Sequence, residues 1–128
     1  MTSLDDLVEA AEEARSRAYA PHSGFGVGAA VLAGDRVFVG VNVENESFPL
    51  SMCAERNALA AMVAAGELRA ESVALVTDSA RPSPPCGGCR QVLRELAPEA
   101  RVVSATLSGA RSEWTVAELL PAPFSLTT

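Results

Sequence analysis

Cys53-Ala54-Glu55 and Pro85-Cys86-Gly87-Gly88-Cys89 hold all three cysteines of this 128-residue chain. Three thiolates can hold a zinc ion and leave the fourth position of its tetrahedron open, which marks a catalytic rather than a structural site. Cys86 and Cys89 stand three residues apart, so the first turn of a helix would put both sulfurs on one side. Cys53 must then arrive from a neighbouring element. Glu55 follows the first cysteine at a distance of two residues. If it binds the metal, the open position closes. If it stays free, it can move protons while the metal makes a nucleophile of water at neutral pH. Hydrolytic loss of ammonia from an amidine-like carbon needs both parts. Three plainer readings compete. A redox C-x-x-C pair leaves Cys53 and Glu55 unexplained. A structural zinc lacks a fourth ligand, since the single histidine, His22, lies in a turn well before the motif. The third is three unrelated buried cysteines.

Three thiolates give a divalent cation one negative charge too many, which weakens it as a Lewis acid. Arg56 lies three residues after Cys53 and can reach a sulfur from the same helix. It is expected to offset part of that charge, together with the positive ends of two helices; the alternative is an ordinary solvated arginine. Cysteines at helix N-termini also have lowered thiol pKa values, which suits metal binding.

The elements that must place these groups can be read from capping and periodicity. Ser3 caps a helix from about Leu4 to Ala20, with an apolar face of Leu4, Leu7, Val8, Ala11, Ala14 and Ala18. Pro21-His22-Ser23-Gly24 breaks it. Val27 to Ala33 and Arg36 to Val43 read as strands joined by Gly34-Asp35, a hairpin turn of the Gly-first kind. Ser51 is expected to cap a second helix, Met52 to Ala65, closed by Gly66. Ser72 to Thr77 is a short strand, Gly87 to Leu96 a third helix, and Arg101 to Leu107 another strand. Trp114 marks the end of a fifth strand, a short helix starts at Thr115, and Pro121 to Thr128 is a tail. A hairpin followed by strand–helix alternation predicts a mixed sheet covered by helices in a single domain, residues 1–128.

Composition narrows the partner. The net charge is −6, and the ten basic residues are scattered arginines, so no clustered surface for a nucleic-acid backbone is expected. A small neutral or cationic substrate fits better. No apolar run approaches the roughly 20 residues of a membrane span. The acidic start, Met1-Thr2-Ser3-Leu4-Asp5-Asp6, is unlike a signal peptide. The expectation is a cytoplasmic protein with reduced thiols.

C-x-E with P-C-x-x-C matches the three-cysteine form of the zinc-deaminase signature. Beyond it, Ser23-Gly24-Phe25-Gly26-Val27-Gly28-Ala29-Ala30, Asn42-Val43-Glu44-Asn45, Cys53-Ala54-Glu55-Arg56, Pro85-Cys86-Gly87-Gly88-Cys89-Arg90-Gln91-Val92-Leu93 and Glu118-Leu119-Leu120-Pro121 occur in one order. Together they resemble the small homotetrameric cytidine deaminases of pyrimidine salvage, over Pro21 to Phe124. The resemblance implies a three-layer α/β/α fold with a mixed five-stranded sheet and one Zn2+ per subunit. It implies hydrolytic deamination of cytidine and 2′-deoxycytidine, and active sites shared in a homotetramer.

The same resemblance implies a role for each matching residue. Cys53, Cys86 and Cys89 hold zinc, Glu55 is the proton shuttle, and Arg56 bonds the thiolates. Phe25 stacks on the pyrimidine, while Asn42 and Glu44 bond the ribose hydroxyls. The backbone at Ala54 binds the base carbonyl, the Pro84 carbonyl holds the departing ammonia, and Phe124 closes a neighbouring subunit's site. Phe25 and Phe124 could instead be packing residues, and Asn42 and Glu44 ordinary loop residues. The chain departs from the family pattern at His22 and Phe48, where tyrosines are usual, at Pro84 in place of serine, and at Phe124-Ser125-Leu126 in place of Phe-Gly. One rival is a deaminase of a modified cytosine nucleoside, of the blasticidin S type. A nucleic-acid-editing deaminase would need a basic surface to grip phosphates flanking a flipped base.

Overall fold

The computed structural model describes residues 2–126. Met1, Thr127 and Thr128, the ends of the predicted domain and tail, lie outside the described residues. The elements run α1 (Leu4–Arg15), β1 (Gly28–Ala33), β2 (Arg36–Val41), a single 3-10 turn (Phe48–Leu50), α2 (Ala54–Ala64), β3 (Ser72–Thr77), α3 (Gly87–Leu96), β4 (Arg101–Thr106), β5 (Arg111–Thr115) and α4 (Val116–Leu119). The strands form one sheet in the order β2-β1-β3-β4-β5, in which only β3 and β4 run parallel. This is the expected mixed five-stranded sheet.

Two separate cores explain the three layers. On one face α1 packs Leu7, Val8 and Ala11 against Ala30, Ala74, Val76, Val103 and Ala105. On the other, Ala58, Leu59 and Met62 of α2 and Leu93 of α3 meet Ala29, Val31, Val73, Leu75 and Val102, and α4 adds Val116 and Leu119. Alternate residues of β1, β3 and β4 thus serve opposite faces, as the two-residue period of a strand requires. All four central positions of β3 are buried, because this strand is covered on both sides.

Local signals set most boundaries. Ser3 accepts from the Asp6 N–H and Asp6 accepts from the Ser3 N–H, a reciprocal cap that starts α1. The β1–β2 turn places Gly34 at φ +64°, and no non-glycine among the described residues has positive φ, so only the first turn residue is left-handed.

Three expected boundaries shift by two residues or more, each because a tertiary bond wins over propensity, while β1 at its start and α2 and β4 at their ends each lose one terminal residue. α1 ends at Arg15 rather than Ala20. The backbone of Tyr19 is taken by the loop after β2: its N–H donates to Asn42 O (3.0 Å) and its carbonyl accepts from Glu44 N (2.9 Å). α2 begins at Ala54 rather than Met52, because Met52 exchanges backbone bonds with Val43 (2.9 and 3.0 Å). Cys53, not Ser51, is therefore the N-cap, and Ser51 Oγ instead accepts from Asn45 N (3.0 Å). β2 stops at Val41, where Asn42 turns its N–H to Val27 O (3.2 Å).

Candidate functional site

Cys53 caps α2 and Cys86 caps α3, so both sulfurs sit where a helix presents unpaired N–H groups and partial positive charge. Cys86 Sγ also accepts from the Cys89 N–H (3.5 Å). α2 and α3 lie on the same face of the sheet, and their starts meet at the carboxyl end of β3, where open α/β sheets place their ligand crevices. The three Sγ atoms all fall within 4.8 Å of one another. Cys53 Sγ and Cys86 Sγ are 3.8 Å apart. A zinc–sulfur bond of about 2.3 Å in a tetrahedron separates neighbouring sulfurs by about 3.8 Å. The chain therefore holds its donors near the spacing zinc requires, and soft thiolates suit that ion.

Arg56 Nη2 donates to Cys53 Sγ at 3.2 Å, as the spacing of three led one to expect. Its Nε is buried and has no hydrogen-bond partner among the described residues. The nearby sulfurs raise its pKa further, so it is a fixed cation at the metal site. Hydrogen bonds from Cys89 and Arg56 pull the Cys53 thiol down to about 5 despite partial burial. Cys89, which gives its proton to that shared bond and is buried, is pushed up instead. Metal binding must therefore release a proton from this cluster. Arg56→Gln is expected to weaken zinc retention against a chelator, or to lower kcat, by about 10–100-fold. Unchanged values on both measures would remove Arg56 from the site's charge balance.

Glu55 is only 5% exposed. Burial pushes its carboxyl up to about 6, with the Cys53 thiolate adding to the effect. A carboxyl in that range can both accept and give a proton near neutral pH. It lines a cavity of about 280 Å³ together with Phe25, Asn42, Glu44, Cys53, Ala54, Pro84 and Cys86. Eight of the residues expected at the site thus share one cavity. Cys89 sits behind it, fully buried. The helix cap at Cys53 makes no side-chain hydrogen bond, which leaves the leading N–H groups of α2, Ala54 included, without an intrahelical partner.

The polar residues of the far wall are already partly engaged. Asn42 Oδ1 accepts from Val27 N and its Nδ2 donates to Phe25 O, both at 2.8 Å. It therefore holds the Phe25–Val27 segment in place and keeps one N–H and one lone pair to offer. Glu44 accepts from the backbone N–H of His22 (2.9 Å) and Ser23 (3.1 Å) and from the Ser23 hydroxyl. Those bonds, the Ser23 hydroxyl first, hold its carboxyl below the usual range. His22 and Phe48, two departures from the family pattern, touch each other edge to face, with centroids 6.4 Å apart.

Phe124 is not among the residues that line this cavity. It is 69% exposed and lies beside α3, where its carbonyl accepts from Gln91 Nε2 (3.1 Å). The cavity also includes Thr77, Ser83, Met52 and Leu75, which sequence reasoning missed. Thr77 is the last residue of β3, and the carboxyl ends of strands in open α/β sheets are where ligands bind. Arg90 follows Cys89 on α3. Its guanidinium donates to Pro85 O (2.8 Å) and Leu119 O (2.9 Å), tying the start of α3 to α4.

The model of the cytidine and deoxycytidylate deaminase zinc-binding region matches residues 1–106. The chain is 46% identical over 121 residues to a cytidine deaminase of Halalkalibacterium halodurans, covering 93% of this chain and 92% of the relative. To a cytidine deaminase of Sporosarcina psychrophila it is 41% identical over 124 residues, covering 95% and 91%. The crystal structure of a cytidine deaminase from Burkholderia pseudomallei superposes with a TM-score of 0.92 at 44% identity, covering 95% of this chain and 99% of that one.

Proposed function

The chain belongs to the cytidine and deoxycytidylate deaminase family, and from that premise we propose that it hydrolyses cytidine and 2′-deoxycytidine to uridine and 2′-deoxyuridine with release of ammonia. The enzyme is a zinc-dependent hydrolase of a cyclic amidine C–N bond. One observation supports the reading most: a buried, free carboxylate, Glu55, shares a cavity with a triangle of thiolates that has no fourth protein ligand among the described residues.

Cys53, Cys86 and Cys89 hold the zinc, which when bound supplies Lewis acidity and an activated water. Glu55 takes the proton from the attacking water and delivers it to N3 of the base. It then carries the second proton to the 4-amino group, the C4–N bond breaks, and the oxygen remains as the 4-carbonyl. Phe25 stacks on the ring. The Ala54 N–H binds the base carbonyl, and Asn42 and Glu44 hold the ribose through the bonding capacity their loop contacts leave over. The Pro84 carbonyl receives the departing ammonia, since that of Pro85 is taken by Arg90. Exclusion of water by the apolar walls makes these polar contacts count.

Residues 1–128 act as one domain in the cytoplasm and assemble as a homotetramer. Support for assembly comes from the cavity wall, where Phe25, Phe48 and Met52 are exposed; apolar surface of this kind is commonly covered by a partner. Phe124 reaches a neighbouring subunit's site, in keeping with its exposure. Among the described residues no helix is long and apolar enough to cross a membrane.

Zinc-loaded protein should release ammonia from cytidine and 2′-deoxycytidine, and not from blasticidin S or a short single-stranded oligonucleotide. Turnover of either of the latter with both nucleosides inert would refute the assignment.

A further inference from the structure

Three hydroxyls are in contact across the end of β3 and the loop that follows it to Cys86. Ser79 Oγ lies 2.6 Å from Thr77 Oγ1, 2.8 Å from the Arg81 carbonyl oxygen and 3.0 Å from Ser83 Oγ. Thr77 and Ser83 line the catalytic cavity with Pro84 and Cys86, whereas Ser79 is not among its lining residues. The direction of these bonds follows from the donor inventory. A carbonyl oxygen only accepts, so the single hydrogen of Ser79 goes to Arg81. Ser79 can then meet the other two hydroxyls only as an acceptor. Thr77 and Ser83 must each turn their one hydrogen towards Ser79, away from the cavity. What they have left to offer a ligand is lone pairs.

Resting on the cytidine reading above, we propose that Ser83 is a specificity residue that accepts a hydrogen bond from the substrate's 4-amino group, and that Ser79 is the positioning residue that keeps this wall acceptor-only. Ser83 lines the cavity together with its neighbour Pro84, whose carbonyl receives the departing ammonia in the reading above, and with Cys86. Before the reaction the atom on C4 is a nitrogen with hydrogens to donate. Afterwards it is a carbonyl oxygen, which finds another acceptor opposite it. A wall of lone pairs thus favours the amine over the carbonyl and speeds release of the product. A half-buried hydroxyl set to accept from one partner disfavours the analogue that leaves it unpaired.

The test measures two ligands that differ at this atom. Uridine dissociation constants come from calorimetry, where no chemistry intervenes, and cytidine KM and kcat from ammonia release, all on zinc-loaded protein. In Ser79→Ala the Ser83 hydrogen is free to swing into the cavity. Uridine should then bind about fivefold more tightly while cytidine KM rises. Ser79→Thr keeps the hydroxyl and should restore the wild-type pair of values. Ser83→Ala should raise cytidine KM about fivefold without weakening uridine. A loop that had merely loosened would weaken both ligands together, so parallel weakening, or a constant ratio of the two across the variants, overturns the acceptor wall. A wild-type protein that binds zinc but leaves cytidine intact overturns the substrate assignment and this inference with it.

Discussion

Glu55→Gln protein is expected to keep its zinc and to lose turnover by about 10³-fold. The argument starts from burial. Glu55 sits at the first turn of α2, is 5% exposed, and has its carboxyl pushed up to about 6. Glutamine has nearly the same shape but can neither accept the proton of the attacking water nor deliver one to N3 or the leaving amine. The sulfurs are untouched, so metal content measured by atomic absorption should stay at wild-type level. Loss of zinc alongside activity would make Glu55 a ligand, and activity within tenfold of wild type would take the proton shuttle away from it. A second signature belongs to the metal-free protein. A carboxyl with a raised folded pKa binds its proton more tightly in the fold than in the unfolded chain. The wild type therefore loses stability as pH rises from about 4, the unfolded value, through about 6. Glutamine has no such proton to lose. At pH 7 the variant should be the more stable by on the order of 2 kcal/mol, and the advantage should vanish below about pH 4.

Gly40→Ala is expected to lower stability by about 3 kcal/mol and the melting temperature by about 10 °C. Gly40 lies on β2 beneath the first turns of α2. A Cβ built there would stand 2.4 Å from the Ala58 nitrogen and 2.5 Å from the Ala54 carbonyl oxygen. Both are backbone atoms of a helix, so no rotamer change relieves the clash and α2 must lift from the sheet. Cys53 and Glu55 ride on that helix. The variant should therefore also hold zinc less tightly in chelator competition, unlike a destabilising change remote from α2. A melting temperature within 2 °C of wild type would mean that α2 can yield cheaply, and that the close approach is not what seats the site.

The sequence exposes the parts of the site that depend on local spacing. Cys86-Gly87-Gly88-Cys89 reads as a helix start because capping is a property of neighbouring residues, and Cys86 is indeed the cap of α3. Arg56 reaches Cys53 because a separation of three is nearly one helical turn. What stays hidden depends on distant partners. Nothing local says that Tyr19 will leave α1 to bridge the loop after β2, or that Met52 will pair with Val43 and hand the cap to Cys53. β5 is only partly legible for another reason: Arg111, Ser112 and Glu113 form an edge strand whose polar residues show no alternation, and only Trp114 signals it. Thr77 and Ser83 go unnoticed because their role is set by contact with a third hydroxyl and by the cavity they line, neither of which is a pattern in one dimension.

The thiolate triangle stands ready on two helices that are each anchored by apolar packing of their own. Small zinc modules need the ion to fold, because they have little else to hold them together. Here Leu59, Met62 and Leu93 are fully buried in a core of their own beside the sulfurs. The packing that seats the helices and the sulfurs that would take the metal are thereby separate parts of the molecule with separate demands.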